Sequence, residues 1–157
     1  MVYIASDHAG FEIKQQVIEI LKDLGIWQYD FGPFEIDPND DYPFYAFALS
    51  EKVAENPESK GILVCSTGGG MCIAANKVKG IRAAEAASPA EAVLIREHNN
   101  ANVLILAKID FHIEVIRQIV EAWYFTPFSN EERHVRRLKE ISDYENGNTP
   151  SPTGSKV

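Results

Sequence analysis

The five residues Gly61-Ile62-Leu63-Val64-Cys65 are apolar throughout, and they run straight into the turn Ser66-Thr67-Gly68-Gly69-Gly70. A run this short lacks the length of a core helix and the alternation of a strand with one wet face. It therefore predicts a strand buried on both faces, as in a parallel sheet. Parallel strands need crossover connections, usually helices, and the flanking sequence supplies both kinds of element. Val2 to Ser6 predicts a first strand, and Ile13, Val17, Ile20, Leu21 and Leu24 then recur at helical spacing until Gly25. Trp27 to Phe31 predicts a second strand, Gly32 to Tyr42 a loop, and Pro43 the first turn of a helix. After the glycine turn come a short helix to Lys77, a strand from Ile81 to Ala84, and a helix from Ser88-Pro89 to about His98. Asn102 to Leu106 is the fifth strand, and Val115, Ile116, Ile119, Val120 and Trp123 mark another core-facing helix. Strand–helix alternation of this kind predicts an α/β fold with right-handed crossovers and ligands beyond the carboxyl ends of the strands.

At 157 residues the chain suits a single domain, assigned to residues 1–144. Residues 145–157 are rich in Gly, Asn, Pro, Ser and Thr, and predict a disordered tail. Before that tail, Ser129 to Tyr144 predicts a polar, basic helix that packs outward onto a second subunit. A net charge of −8 argues against nucleic acid and anionic membranes as partners, while a small anion can still be held by local Arg and Lys. The two cysteines, Cys65 and Cys72, form neither a disulfide framework nor a metal-ligand spacing. Free thiols, together with no leader and no apolar run near the roughly 20 residues of a membrane span, predict a cytoplasmic protein.

Strand, glycine turn, then helix is an arrangement in which backbone amides approach an anion closely. The helix terminus would also lower the pKa of Cys65. The same residues suit a tight connection with a structural cysteine, and the turn is neither a P-loop nor Gly-x-Gly-x-x-Gly. Asp7-His8 follows the first strand, and His98-Asn99-Asn100 precedes the fifth. Each alone is as readily a cap or a dipole-complementing pair, but their common position in connections favours one shared pocket. Arg133 and Arg137 lie one helical turn apart and can together clamp a phosphate, or form a solvated face.

Ser6-Asp7-His8-Ala9-Gly10-Phe11, Asp41-Tyr42-Pro43, Gly61 to Arg82, Arg96-Glu97-His98-Asn99 and Arg133-His134 through Arg137 resemble the type B ribose-5-phosphate isomerases and their galactose- and allose-phosphate relatives. The resemblance implies a three-layer, Rossmann-like fold with a five-stranded parallel sheet, in a homodimer or dimer of dimers. It implies aldose–ketose isomerisation of ribose 5-phosphate through a cis-enediolate, with no cofactor and no metal. Cys65 matches the base, Thr67 a hydroxyl near the reacting centre, and His98 the ring-opening residue. Asp7 and His8 match the pair that meets the sugar near its ring, and Tyr42 falls on a pocket position. The amides of Gly68, Gly69 and Gly70, with Asn99, match the enediolate donors, and Arg133, His134 and Arg137 match a phosphate clamp that crosses a dimer interface.

The chain departs from that pattern in places. Ser66 and Gly69 replace the usual Gly and bulky apolar residue of the turn, Ala90 a common aromatic, and Asn100 a usual Asp. Ala107-Lys108-Ile109 stands where Gly-x-Arg is expected, so Ile109 occupies the position of a phosphate-binding Arg. The catalytic positions of the pattern are thus intact, while parts of its phosphate and outer-pocket positions have changed. Allose 6-phosphate, galactose 6-phosphate and a catalytically silent sugar-phosphate-binding subunit are the alternatives.

Overall fold

The computed structural model describes residues 1–108 and 112–149. Among these residues are β1 (Val2–Ser6), β2 (Gln28–Asp30), β3 (Lys60–Cys65), β4 (Ala83–Glu85) and β5 (Val103–Ala107). Six α-helices accompany them: α1 (Phe11–Asp23), α2 (Tyr42–Glu55), α3 (Gly69–Ala75), α4 (Pro89–Asn99), α5 (Ile113–Phe125) and α6 (Glu132–Glu145). The strands pair in parallel in the order β2-β1-β3-β5-β4. The expected five-stranded parallel sheet is therefore present, with the apolar run as its central strand.

Period-two alternation divides the core between the two faces. Ile62 and Val64 of β3 join Val2, Ile4, Leu104 and Leu106 against α1, α4 and α5. Leu63 and Cys65 face the other way, with Ala5 and Ile105, against α2 and α3. The result is a three-layer sandwich in which Cys65 is the last buried residue on the α2–α3 side. No helix among the described residues is long and apolar enough to cross a membrane.

Local chemistry accounts for most boundaries. The Ser88 hydroxyl caps α4 by accepting from the Glu91 amide at 3.2 Å, with Pro89 opening the helix. The fourth strand starts later than its apolar residues suggest. Arg82 gives its amide to the Asn102 Oδ1 at 2.7 Å, and Asn76 brackets Ala83 with two bonds of 2.9 Å, so side-chain bonds lead into the ladder that begins at Ala83. The C-terminal boundary also moves. Helix α6 includes Glu145, whose carboxylate accepts from the Gly80 amide at 3.1 Å, and residues 150–157 lie outside those described.

Candidate active site

Strand order reverses direction between β1 and β3: the chain moves from β1 outward to β2 on one side, and from β3 out to the edge strand β4 and back to β5 on the other. The connections that follow these two neighbours lead to opposite sides of the sheet, the position at which α/β sheets of this kind bind their ligands. The register pairs Ser6 with Val64, so Asp7 emerges directly beside Cys65. The approach is tight. Asp7 donates its amide to the Val64 carbonyl at 3.3 Å, and a Cβ on Gly10 would come within 2.6 Å of that carbonyl's carbon. Only glycine lets the His8–Gly10 3₁₀ turn lie this close to β3.

Cys65 is 5 % exposed, and its Sγ accepts the Gly68 amide at 3.2 Å. Gly68 takes φ +78°, which folds the turn back over the sulfur. Its amide is thus committed to Cys65, while Gly69 and Gly70 open α3 and bring the free amides of a first helical turn. The Tyr42 ring lies directly over Gly70, where an added Cβ would be 2.7 Å from Cζ. Ser66 and Thr67 are exposed, and Lys108 ties the turn to β5 by donating its amide to the Cys65 and Ser66 carbonyls at 2.7 and 3.0 Å.

The electrostatics correct one expectation. Burial pushes the Cys65 thiol up from its usual range, Asp7's charge adds to this, and the Gly68 amide pulls the other way without prevailing. A strand end packed under a helix costs the thiolate more water than the turn's amides return. Burial likewise raises the Asp7 carboxyl, against the 2.9 Å bond that its Oδ1 accepts from the Gly10 amide.

His8 has a partner that the sequence reading did not single out. Its Nδ1 lies 2.6 Å from Asp40 Oδ1, and the same oxygen accepts the His8 amide at 3.1 Å. In sequence Asp40 is one acid in a loop rich in Asp and Pro, a composition that reads as turn chemistry. Glu85, at the end of β4, also reaches the turn: its carboxylate lies 2.6 Å from where a Cβ on Gly68 would be.

The remaining expected residues gather elsewhere. Helix α4 runs back antiparallel to the strands, so His98 and Asn99 arrive where β5 starts, beside the Asn102 carbonyl that accepts the Gly61 amide at 2.8 Å. The expected pocket shared by Cys65 and His98 does not form within one chain. The five paired residues of β3 and β5 separate the two ends, about 16 Å at roughly 3.3 Å per residue. Helix α6 belongs to the same amino-edge cluster. His134 is 2 % exposed, with its ring centroid 4.5 Å from that of His98 and its Nδ1 2.8 Å from the Ser129 hydroxyl. Burial and neighbouring Arg133 lower its pKa. Arg133 and Arg137 are exposed, and Arg133 Nε donates to Glu131 Oε2 at 2.8 Å. Between α6 and β4 lies a cleft of about 320 Å³, lined by Arg82, Asn99, Leu138 and Ile141 among others. Ile109 lies outside the described residues.

Known proteins share this arrangement. A "Probable ribose-5-phosphate isomerase B" of Mycoplasma pneumoniae is 45 % identical over 144 residues, 92 % of this chain and 94 % of that one. The "Ribose-5-phosphate isomerase B" of Mycobacterium tuberculosis is 40 % identical over 151 residues, 96 % and 93 % of the two chains. Among solved structures, ribose-5-phosphate isomerase B of Mycoplasma genitalium with bound ribulose-5-phosphate superposes with a TM-score of 0.88 at 42 % identity, covering 92 % of this chain and 95 % of that one. The Ribose/Galactose Isomerase family model matches residues 2–141, which include both clusters and the sheet between them. With a family model matched over residues 2–141, near-full-length relatives and a shared fold, the chain belongs to the Ribose/Galactose Isomerase family.

Proposed function

We propose that this chain interconverts ribose 5-phosphate and ribulose 5-phosphate by shuttling a proton between C2 and C1 through a cis-enediolate. The observation that carries this reading is the near-full-length match to a solved isomerase holding ribulose-5-phosphate, on a chain that keeps a buried thiol at the switch point. Cys65 acts as the base. Its raised pKa makes its thiolate a stronger base, although a rarer one at neutral pH. The amides of Gly69 and Gly70 meet the developing oxyanion, since the Gly68 amide is held by the sulfur. The exposed Thr67 hydroxyl stands beside them, Ser66 lies at the rim of the turn, and Tyr42 covers Gly70.

His98, Asn99, Arg133 and Arg137 serve the reaction from a second copy of the chain. One protomer carries two half-sites at opposite edges of its sheet, and a two-fold dimer would join each half to the other's complement, twice over. His98 then opens the sugar ring and the arginines hold the phosphate. His134 supports His98 through the ring contact as well as lying beside the clamp.

The test is purified protein with ribose 5-phosphate, following ribulose 5-phosphate by NMR in parallel with allose 6-phosphate and galactose 6-phosphate. Turnover of the pentose phosphate is expected. Turnover of a hexose phosphate alone would transfer the same chemistry to another substrate.

A further inference from the structure

We infer that Asp40 is a positioning residue for His8: paired with Nδ1, it turns Nε2 to the substrate and stabilises the imidazolium, whose Nε2–H can pass a proton to a sugar oxygen. This rests on the functional reading above and assigns a role within the Cys65 half-site. The geometry is specific. Asp40 comes from the loop before α2, yet one carboxylate oxygen accepts both the backbone amide and the ring Nδ1 of His8. A carboxylate only accepts, so Nδ1 must carry a proton and Nε2 is left for the substrate. The two side chains differ in exposure as this role requires: 37 % for His8 and 7 % for Asp40. The acid is sealed behind the imidazole, and the imidazole faces outward.

Asp40 is also held from its far side: its Oδ2 is buried near the Tyr45 phenol, a hydroxyl that can donate to it. Tyr45 is kept protonated by burial and by the nearby acids, so it brings no charge of its own. The charged groups around His8 are Asp40 and Asp37 from the loop and Asp7 from the turn, with Cys65 beyond Asp7 at the end of β3. All three acids favour the imidazolium, and the bond to Asp40 is the largest contribution. His8 therefore stays protonated to a higher pH than a free histidine. Activity that needs the imidazolium falls as pH rises through that raised value.

The experiment combines a double-mutant cycle with NMR titration. Asp40→Asn should lower kcat/KM by about 100-fold, the low end of what a general acid contributes. The alkaline fall of kcat/KM should begin at lower pH, and the His8 ring, assigned by comparison with His8→Gln, should titrate at lower pH. Adding Asp40→Asn to His8→Gln should cost nothing further, because the acid works through the imidazole. Asp40→Glu, which keeps the charge, should recover part of the activity and guards against a folding defect in the amide variant. An undiminished Asp40→Asn effect in the His8→Gln background, or an unmoved His8 titration, would overturn the inference. Absence of ribose 5-phosphate turnover in the wild-type protein would strike the functional reading instead, since the titration is read without substrate.

Discussion

Cys65 closes a strand whose alternation turns its side chain toward α2 and α3, and that one bond direction decides its surroundings. Its position was legible in the sequence because apolar run, glycine turn and helix each have a local signature. Its titration was not, because burial under a packed helix is a property of the assembled layers. The thiol should therefore react slowly with iodoacetamide at neutral pH and speed up above the pH at which a free cysteine does, as mass spectrometry of a pH series would show. Alkylation at neutral pH as fast as that of a free thiol would contradict this. Cys65→Ala should lower kcat by at least about 100-fold with the fold intact by circular dichroism. Asp40 marks the limit of sequence reading at this scale: nothing local separates it from Asp37 or Asp41, and only the folded loop selects it.

Elements were legible wherever periodicity and capping agreed, as in the helix announced by Ser88-Pro89. What the pattern left open was direction: which edge of the sheet each connection reaches. A residue that follows a strand and one that precedes a strand both look like loop chemistry, yet α4 carries His98 to the opposite edge from Cys65. Two substitutions separate stability from site geometry. Ser88→Ala removes the α4 cap and should cost about 1 kcal/mol, near 3 °C in Tm, with activity unchanged at room temperature. Gly10→Ala forces a methyl group into the Val64 carbonyl and should cost about 1–3 kcal/mol. Because it also moves Asp7 and His8, it should lower kcat/KM beyond any loss of folded protein. Equal residual activity in the two variants would show that the tight approach at Gly10 does not shape the site.

At the scale of the whole molecule the fold makes two clusters that cannot meet within one chain. Asp7, His8, Tyr42 and the Cys65 turn stand at the carboxyl edge of the sheet. His98, Asn99, His134 and the two arginines stand at the amino edge. Exposed Val135 and Ile141 with half-buried Leu138 give α6 an apolar stripe beside the second cluster. The acidic chain gathers Arg133, Arg136, Arg137 and Lys139 on this short segment, which is why net charge alone says little about a small anionic substrate. The central claim is that each site joins the two clusters across a pair of chains. Co-expression of a Cys65→Ala chain with an Arg133→Ala/Arg137→Ala chain tests it directly, since each variant alone should be nearly inactive. Random pairing makes half the dimers mixed, each with one intact site, so activity should return to about a quarter of wild type. A mixture as inactive as its parents would contradict the account and place both clusters' chemistry within single chains.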